Sequence, residues 1–181
     1  MDAQRALLKH FLATIAYRTQ KALRGAPDSF ADFRAGANVR TPHELVWHMT
    51  GVLGYARTFF EGGIWQPEKL ATFGQKIQRL HQVLQDLGHL LETEHSSLEL
   101  SREISNEKLL QGPLADALTH AGQLAMLRRL AGSPVAPENF IRASIQTENL
   151  GPDQPASAAP DPGWSPDQPP PAPGKGLPKG W

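Results

Sequence analysis

The sequence predicts an all-α fold, a four-helix bundle over residues 1–150 followed by an extended Pro-rich C-terminal arm over 151–181. Three observations predict it. Four segments carry apolar residues at alternating spacings of three and four, the period of one helix face. Short links with strong helix start and stop signals separate them, as in a bundle. From Gly151 the composition changes abruptly: ten of the sixteen prolines fall in 151–181, with four glycines after position 160, and such a segment cannot build a core.

The first helix spans 2–24, with Leu8, Phe11, Ile15, Arg18 and Ala22 as its core-facing stripe, and Gly25, Ala26 and Pro27 end it. Arg18 on that stripe reads either as an arginine snorkelling at a bundle end or as an anion-binding group at the mouth of a pocket. Residues 25–40 form a loop, tucked onto the bundle by Phe30 and Phe33. Thr41-Pro42-His43-Glu44 opens the second helix, with Thr41 as cap, Pro42 at the first helical position and Glu44 completing a capping box. Its stripe is Leu45, His48, Val52, Tyr55 and Phe59, with His43, Thr50 and Arg57 on the far side.

Gly62-Gly63 breaks the chain and Pro67 can open the third helix. Leu70, Phe73, Ile77, Leu80, Leu84, Leu87 and Leu91 form the longest unbroken stripe in the sequence; His81 and His89 lie off it and read as solvated, and His95 sits near the helix end. A connection over 96–112 carries one turn of helix at Asn106–Leu110. The fourth helix starts at Gly112-Pro113 and stops at Gly132-Ser133-Pro134; Pro137-Glu138 opens a short fifth through about Ile145. In the arm, Trp164 and Trp181 are candidate anchors on the domain or on a neighbouring subunit, and PPPAP is a candidate polyproline ligand.

Composition narrows the function classes. The 181 residues hold 18 basic and 18 acidic side chains, with no basic cluster interleaved with aromatics, so no nucleic-acid partner is expected. No cysteine is present, which leaves His, Asp and Glu as the only strong metal ligands and excludes thiol nucleophiles and disulfides. Arg5, Lys9 and His10 interrupt the N-terminal apolar run, and no stretch reaches the ~20 apolar residues of a membrane span. A cytoplasmic protein without a membrane partner is the expectation.

The chemistry concentrates on two helices. Asp116, His120, Gln123 and Leu127 fall within roughly 60° of one another at 100° per residue, whereas Arg128 and Arg129 fall on the far side. A polar stripe that continues as leucine points inward, and an inward Asp–His pair needs a partner: a divalent metal or a hydrogen bond. His48 on the second helix completes a set of two imidazoles and one carboxylate. That donor set leaves positions open, the pattern of catalytic rather than structural zinc, and is close to the facial triad of non-haem iron. Gln123 is a candidate outer partner of His120, and Glu44, about one turn before His48, a weak candidate base.

The segment Thr41–His48 resembles the second-helix motif of the DinB-like (YfiT-like) metalloenzyme superfamily. His120-Ala121-Gly122-Gln123-Leu124, followed by Leu127 through Pro134, resembles its fourth-helix motif. The similarity covers roughly residues 1–145. It implies a homodimeric four-helix bundle that binds nickel, zinc or a similar divalent ion through one His of helix two and a His pair four apart on helix four. Here His48 and His120 take two of those places, and Asp116 stands where the third histidine belongs. The implied activity is that of a thiol-dependent S-transferase, with a low-molecular-weight thiol cosubstrate, or of a hydrolase on a small-molecule substrate. The alternative is a non-catalytic dimeric bundle with a degenerate metal site, a stress-related scaffold or binding protein. An adaptor acting through PPPAP is a further rival.

Overall fold

The computed structural model describes residues 2–92 and 104–167. The described chain is all-helical, and its only β-type pairing is an isolated antiparallel bridge between Glu138 and Pro160. His95, Trp181 and the PPPAP run lie outside the described residues.

Helix α1 spans Ala3–Leu23 and is capped by the Asp2 side chain, which accepts from Arg5 N. Its buried face is Leu8, Leu12, Ile15, Thr19 and Ala22, with Ala13 and Ala16 beside it; Phe11 and Arg18 flank that face. Phe30 is buried and Phe33 packs against the core, as the loop's aromatics imply.

Helix α2 spans Pro42–Glu61 and begins with the full capping box, Thr41 Oγ1 accepting from Glu44 N and Glu44 Oε2 accepting from Thr41 N. The box satisfies two of the orphan amides at the helix start and fixes where the helix begins. The buried face is rotated from the expected stripe by about one residue. Val46, Met49, Leu53, Ala56 and Phe60 are in the core, while Tyr55 is 53% exposed. Thr50, expected on the far side, is buried and donates back to Val46 O at 2.8 Å. Both sets of residues recur at three-four spacing, so neighbours rather than periodicity decide which faces inward.

Helix α3 spans Phe73–Glu92 and begins later than Pro67 implies. The start is a second box: Gln75 N donates to Thr72 Oγ1, and Gln75 Oε1 accepts from Thr72 N. The leucine stripe is in the core from Leu80 to Leu91, and Leu70 precedes the helix. His81, expected in solvent, is buried.

A short helix α4, Asn106–Leu109, continues through a π-helical turn, Leu110–Leu114, into helix α5, Ala115–Leu130. The sequence marks a start at Gly112-Pro113; the chain instead passes that point without leaving the helical path. Proline offers no N–H and its ring would strike the carbonyl four residues back in an α-helix. A wider turn accommodates it.

Helix α1 packs on α3 and α5, and α2 packs on the same two. Leu12, Ile15, Met49, Leu53, Leu84 and Leu124 lie in the single core they share, each wholly removed from solvent. Burial of such side chains contributes about 1.5–3 kcal/mol each, before the entropy of ordering them.

Beyond α5 the chain forms an irregular strap. Gly132, at φ +72°, ends the helix as the Gly132-Ser133-Pro134 signal implies. The expected fifth helix is only a 3-10 turn, Phe140–Arg142, capped by Asn139. The strap is tied to α1 by Glu138, which accepts from Tyr17 Oη at 2.8 Å and pairs with Lys21 at 3.2 Å. Leu150 is buried over Gly88 of α3, and its carbonyl accepts from His81 Nδ1 at 2.9 Å. Lys9, itself buried, pairs with Glu92 of α3 and Glu148 of the strap.

Arg128 does not face away from the protein as its helical phase suggests. It is buried and donates to the carbonyls of Ala22 and Arg24 at the end of α1 and to Ser133 O. Those carbonyls are the acceptors a helix C-terminus leaves without partners.

A candidate metal centre between two helices

His48, one turn and a half into α2, emerges at the edge of the core facing α5. Its side chain is 33% exposed. On α5, Asp116 follows the π turn in the first helical turn, and His120 lies one turn on, its side chain 8% exposed.

The three side chains converge. One Asp116 oxygen, Oδ2, lies 3.5 Å from His48 Nε2, and the other, Oδ1, lies 3.3 Å from His120 Nε2. The two imidazole rings meet edge to face, centroids 4.8 Å apart at 80°. One donor atom from each of the three residues lies within 4.8 Å of the other two. Donor atoms at 2.0–2.2 Å from a tetrahedral ion sit roughly 3.3–3.5 Å apart; each Asp–His contact, made by a different carboxylate oxygen, matches that, and the set with one donor atom per residue is looser, within 4.8 Å.

Gln123 sits where its spacing places it. Its Oε1 lies 2.8 Å from His120 Nδ1. A carbonyl oxygen only accepts, so Nδ1 carries the proton and Nε2 presents a lone pair. That lone pair faces a carboxylate oxygen, two acceptors with nothing to share. A cation between them, either a proton or a metal ion, removes the conflict. The His48 pKa is lowered by burial first, then by Arg40 and His120, against the opposing pull of Asp116. A neutral imidazole at neutral pH is the form that binds metals.

Two cavities open onto the cluster. One, an open groove of about 680 Å³, is lined by His48 and Asp116 together with Trp47, Val52, Tyr55 and Pro113. The apolar periodicity puts Tyr55 in the core and says nothing of Trp47, although Trp47 adjoins His48 and Tyr55 stands two turns on along the same helix face. The other, of about 510 Å³, is lined by His120 and Gln123 with Asn38, Arg40 and Met126. The π turn at Leu110–Leu114 builds one wall of the first groove, and such turns recur at functional sites.

The remaining candidates lie elsewhere. Glu44 is exposed and committed to the cap of α2; the backbone amide of Thr41 holds its carboxylate below the usual range. Arg18 lines a separate cavity between α1, α5 and the strap. No helix among the described residues is long and apolar enough to cross a membrane.

No protein-family model, curated protein or solved structure matches the chain.

Proposed function

We propose that the chain is a divalent-metal-dependent enzyme of DinB-like four-helix-bundle architecture, a thiol-dependent S-transferase or a hydrolase acting on a small molecule in the cytoplasm. The observation that carries the reading is the convergence of His48, Asp116 and His120 from two packed helices onto one point. Their order and spacing are also those of the superfamily motif that the sequence resembles, with Asp116 in place of a histidine.

His48, Asp116 and His120 would hold the ion, and Gln123 orients His120 by accepting its Nδ1 proton. A bound divalent ion would supply Lewis acidity, lowering the pKa of a coordinated water or thiol. The chain's own contribution is to position the reactants. Trp47, Val52 and Tyr55 offer an apolar bed beside the donor set, and the groove is open enough to admit a small substrate. Arg40, exposed in the cavity on the other side, offers a cation to an anionic part of that substrate. A homodimer is part of the same proposal, with the arm packing on the neighbouring subunit.

Metal analysis of protein produced in nickel- and zinc-replete medium tests the reading. About one ion per chain is expected in the wild type, and about none in His120→Ala, because two remaining ligands make a weak site. Circular dichroism checks that the variant is folded. No metal in the folded wild type would overturn the enzyme reading in favour of a non-catalytic dimeric scaffold. Light scattering of the same samples reads the dimer.

A further inference from the structure

Beside the α1–α5 contact, small residues line a cavity: Ala22 on α1 and Ala121, Gly122 and Ala125 on α5. The strap passes over them at Val135–Pro137 and at Phe140, and the three elements enclose a cavity of about 340 Å³. That is the lower end of the range for small-ligand sites, about 300–1,000 Å³.

Arg18, Lys21 and Arg129 line this cavity with a single acid, Glu138. The acid is fully engaged. Its carboxylate accepts from Tyr17 Oη and from Ala158 N, and it pairs with Lys21 at 3.2 Å. Lys21 and Glu138 therefore cancel. Arg18 is left over: its guanidinium lies 4.2 Å from the centre of the Phe140 ring, and it has no hydrogen bond or ion pair among the described residues. The guanidinium of Arg129, an exposed residue, likewise has none among the described residues. An arginine that merely snorkels puts its head in water. The head of Arg18 is instead half-buried beneath an aromatic ring, and burial lowers its pKa. Stacking fixes the plane of a guanidinium and leaves its edge donors free, the geometry suited to a carboxylate or phosphate.

We propose that this cavity binds a small amphipathic anion, its carboxylate or phosphate head on Arg18 and Arg129 and its apolar body on the alanine–glycine floor of α1 and α5. The site is separate from the metal centre. His120 and Gln123 line the neighbouring cavity, and Met126 is the wall common to both. The proposal stands whether or not His48, Asp116 and His120 hold an ion.

The test is calorimetric titration of the full-length protein with octanoate, with octyl phosphate and with 1-octanol, together with amide shift mapping. At least one anion is expected to saturate one site per chain and to shift Gly122 and Ala136, while the alcohol does not saturate; which anion binds tighter identifies the head group. Arg18→Met should weaken binding about tenfold or more, the loss of one charge-assisted contact. Because Arg18 also supports Phe140, a second variant is needed that leaves both in place. A Cβ at Gly122 meets nothing within 4 Å, so Gly122→Leu fits the helix and fills the cavity; it should fold normally and lose the anion. No saturable binding of either anion up to about 10 mM, or equal affinity in both variants, overturns the proposal.

Discussion

At His120 one hydrogen bond decides which ring nitrogen is free. Gln123 Oε1 accepts from Nδ1, and so Nε2 is turned toward Asp116 and His48. Loss of that orienting bond typically costs a metal site ten- to a hundredfold in affinity. Gln123→Ala should therefore retain the fold and bind zinc roughly 10–100 times more weakly, as read by competition with a chromophoric chelator. Unchanged affinity would mean that packing alone orients the imidazole. Asp116, His120 and Gln123 were legible in the sequence because their i, i+4 and i, i+3 spacings put them on one helix face, and His48 because it lies on an apolar stripe of the second helix, although that stripe stands about one residue off the buried face. His81 and Arg128 were not. Both lie off the stripe that faces the other long helices, and both are buried by structure the periodicity says nothing about: the strap over His81, and the end of α1 against Arg128.

At the scale of elements, the sequence announces helices better than it announces which face turns inward. The Thr41 box, the α3 leucine stripe and the Gly132 stop each place an element, since each is a local signal with a local physical cause. The face of α2 is decided by its neighbours, and one of those neighbours is not a helix. Trp65, in the link before α3, lies flat on Gly54, and Arg57 and Arg79 sit 5.8 and 5.4 Å from its ring. A Cβ at Gly54 would stand 2.2–2.5 Å from three atoms of that ring. Two effects then oppose each other in Gly54→Ala. Alanine is favoured over glycine in a helix by about 1 kcal/mol, whereas forcing a rigid aromatic out of a packed contact costs typically 1–3 kcal/mol. The overpacking term is the larger. The variant should lose about 1 kcal/mol in urea denaturation, and its tryptophan emission should shift to the red as Trp65 moves into water. A more stable variant would show that the indole swings aside freely.

At the scale of the whole molecule, the strap is held to the helices by side chains whose protonation matters. Composition marks the proline-rich stretch, but the contacts of Glu138 and Leu150 carry no periodicity and could not be read from it. Each clamp fails in its own pH range. Lys9 is buried, which pulls its pKa down, yet its bonds to Glu148 and Glu92 outweigh this and raise it; its contribution is present below the ordinary 10.5 and lost above the raised value. The Tyr17 hydroxyl is pushed up to about 12 by burial and by Glu138, so it too weakens the folded state only in alkali. His81 acts at the other end. Burial lowers its pKa, against the opposing effect of the Leu150 carbonyl, and its Nε2 is enclosed with no partner among the described residues to receive a proton's charge. The unfolded chain accepts a proton near the ordinary 6.5 while the folded chain still refuses it. The unfolded state therefore binds more protons in that window, and stability is present above pH 6.5 and falls as pH falls below it. The urea midpoint of the wild type should decline between about pH 7 and 5. His48, also lowered, adds to the same slope, so the informative quantity is the difference between wild type and His81→Leu. The variant loses the bond to Leu150 and should be less stable at pH 7, yet its decline toward pH 5 should be shallower. Parallel slopes would show that His81 is not the group through which acid releases the strap.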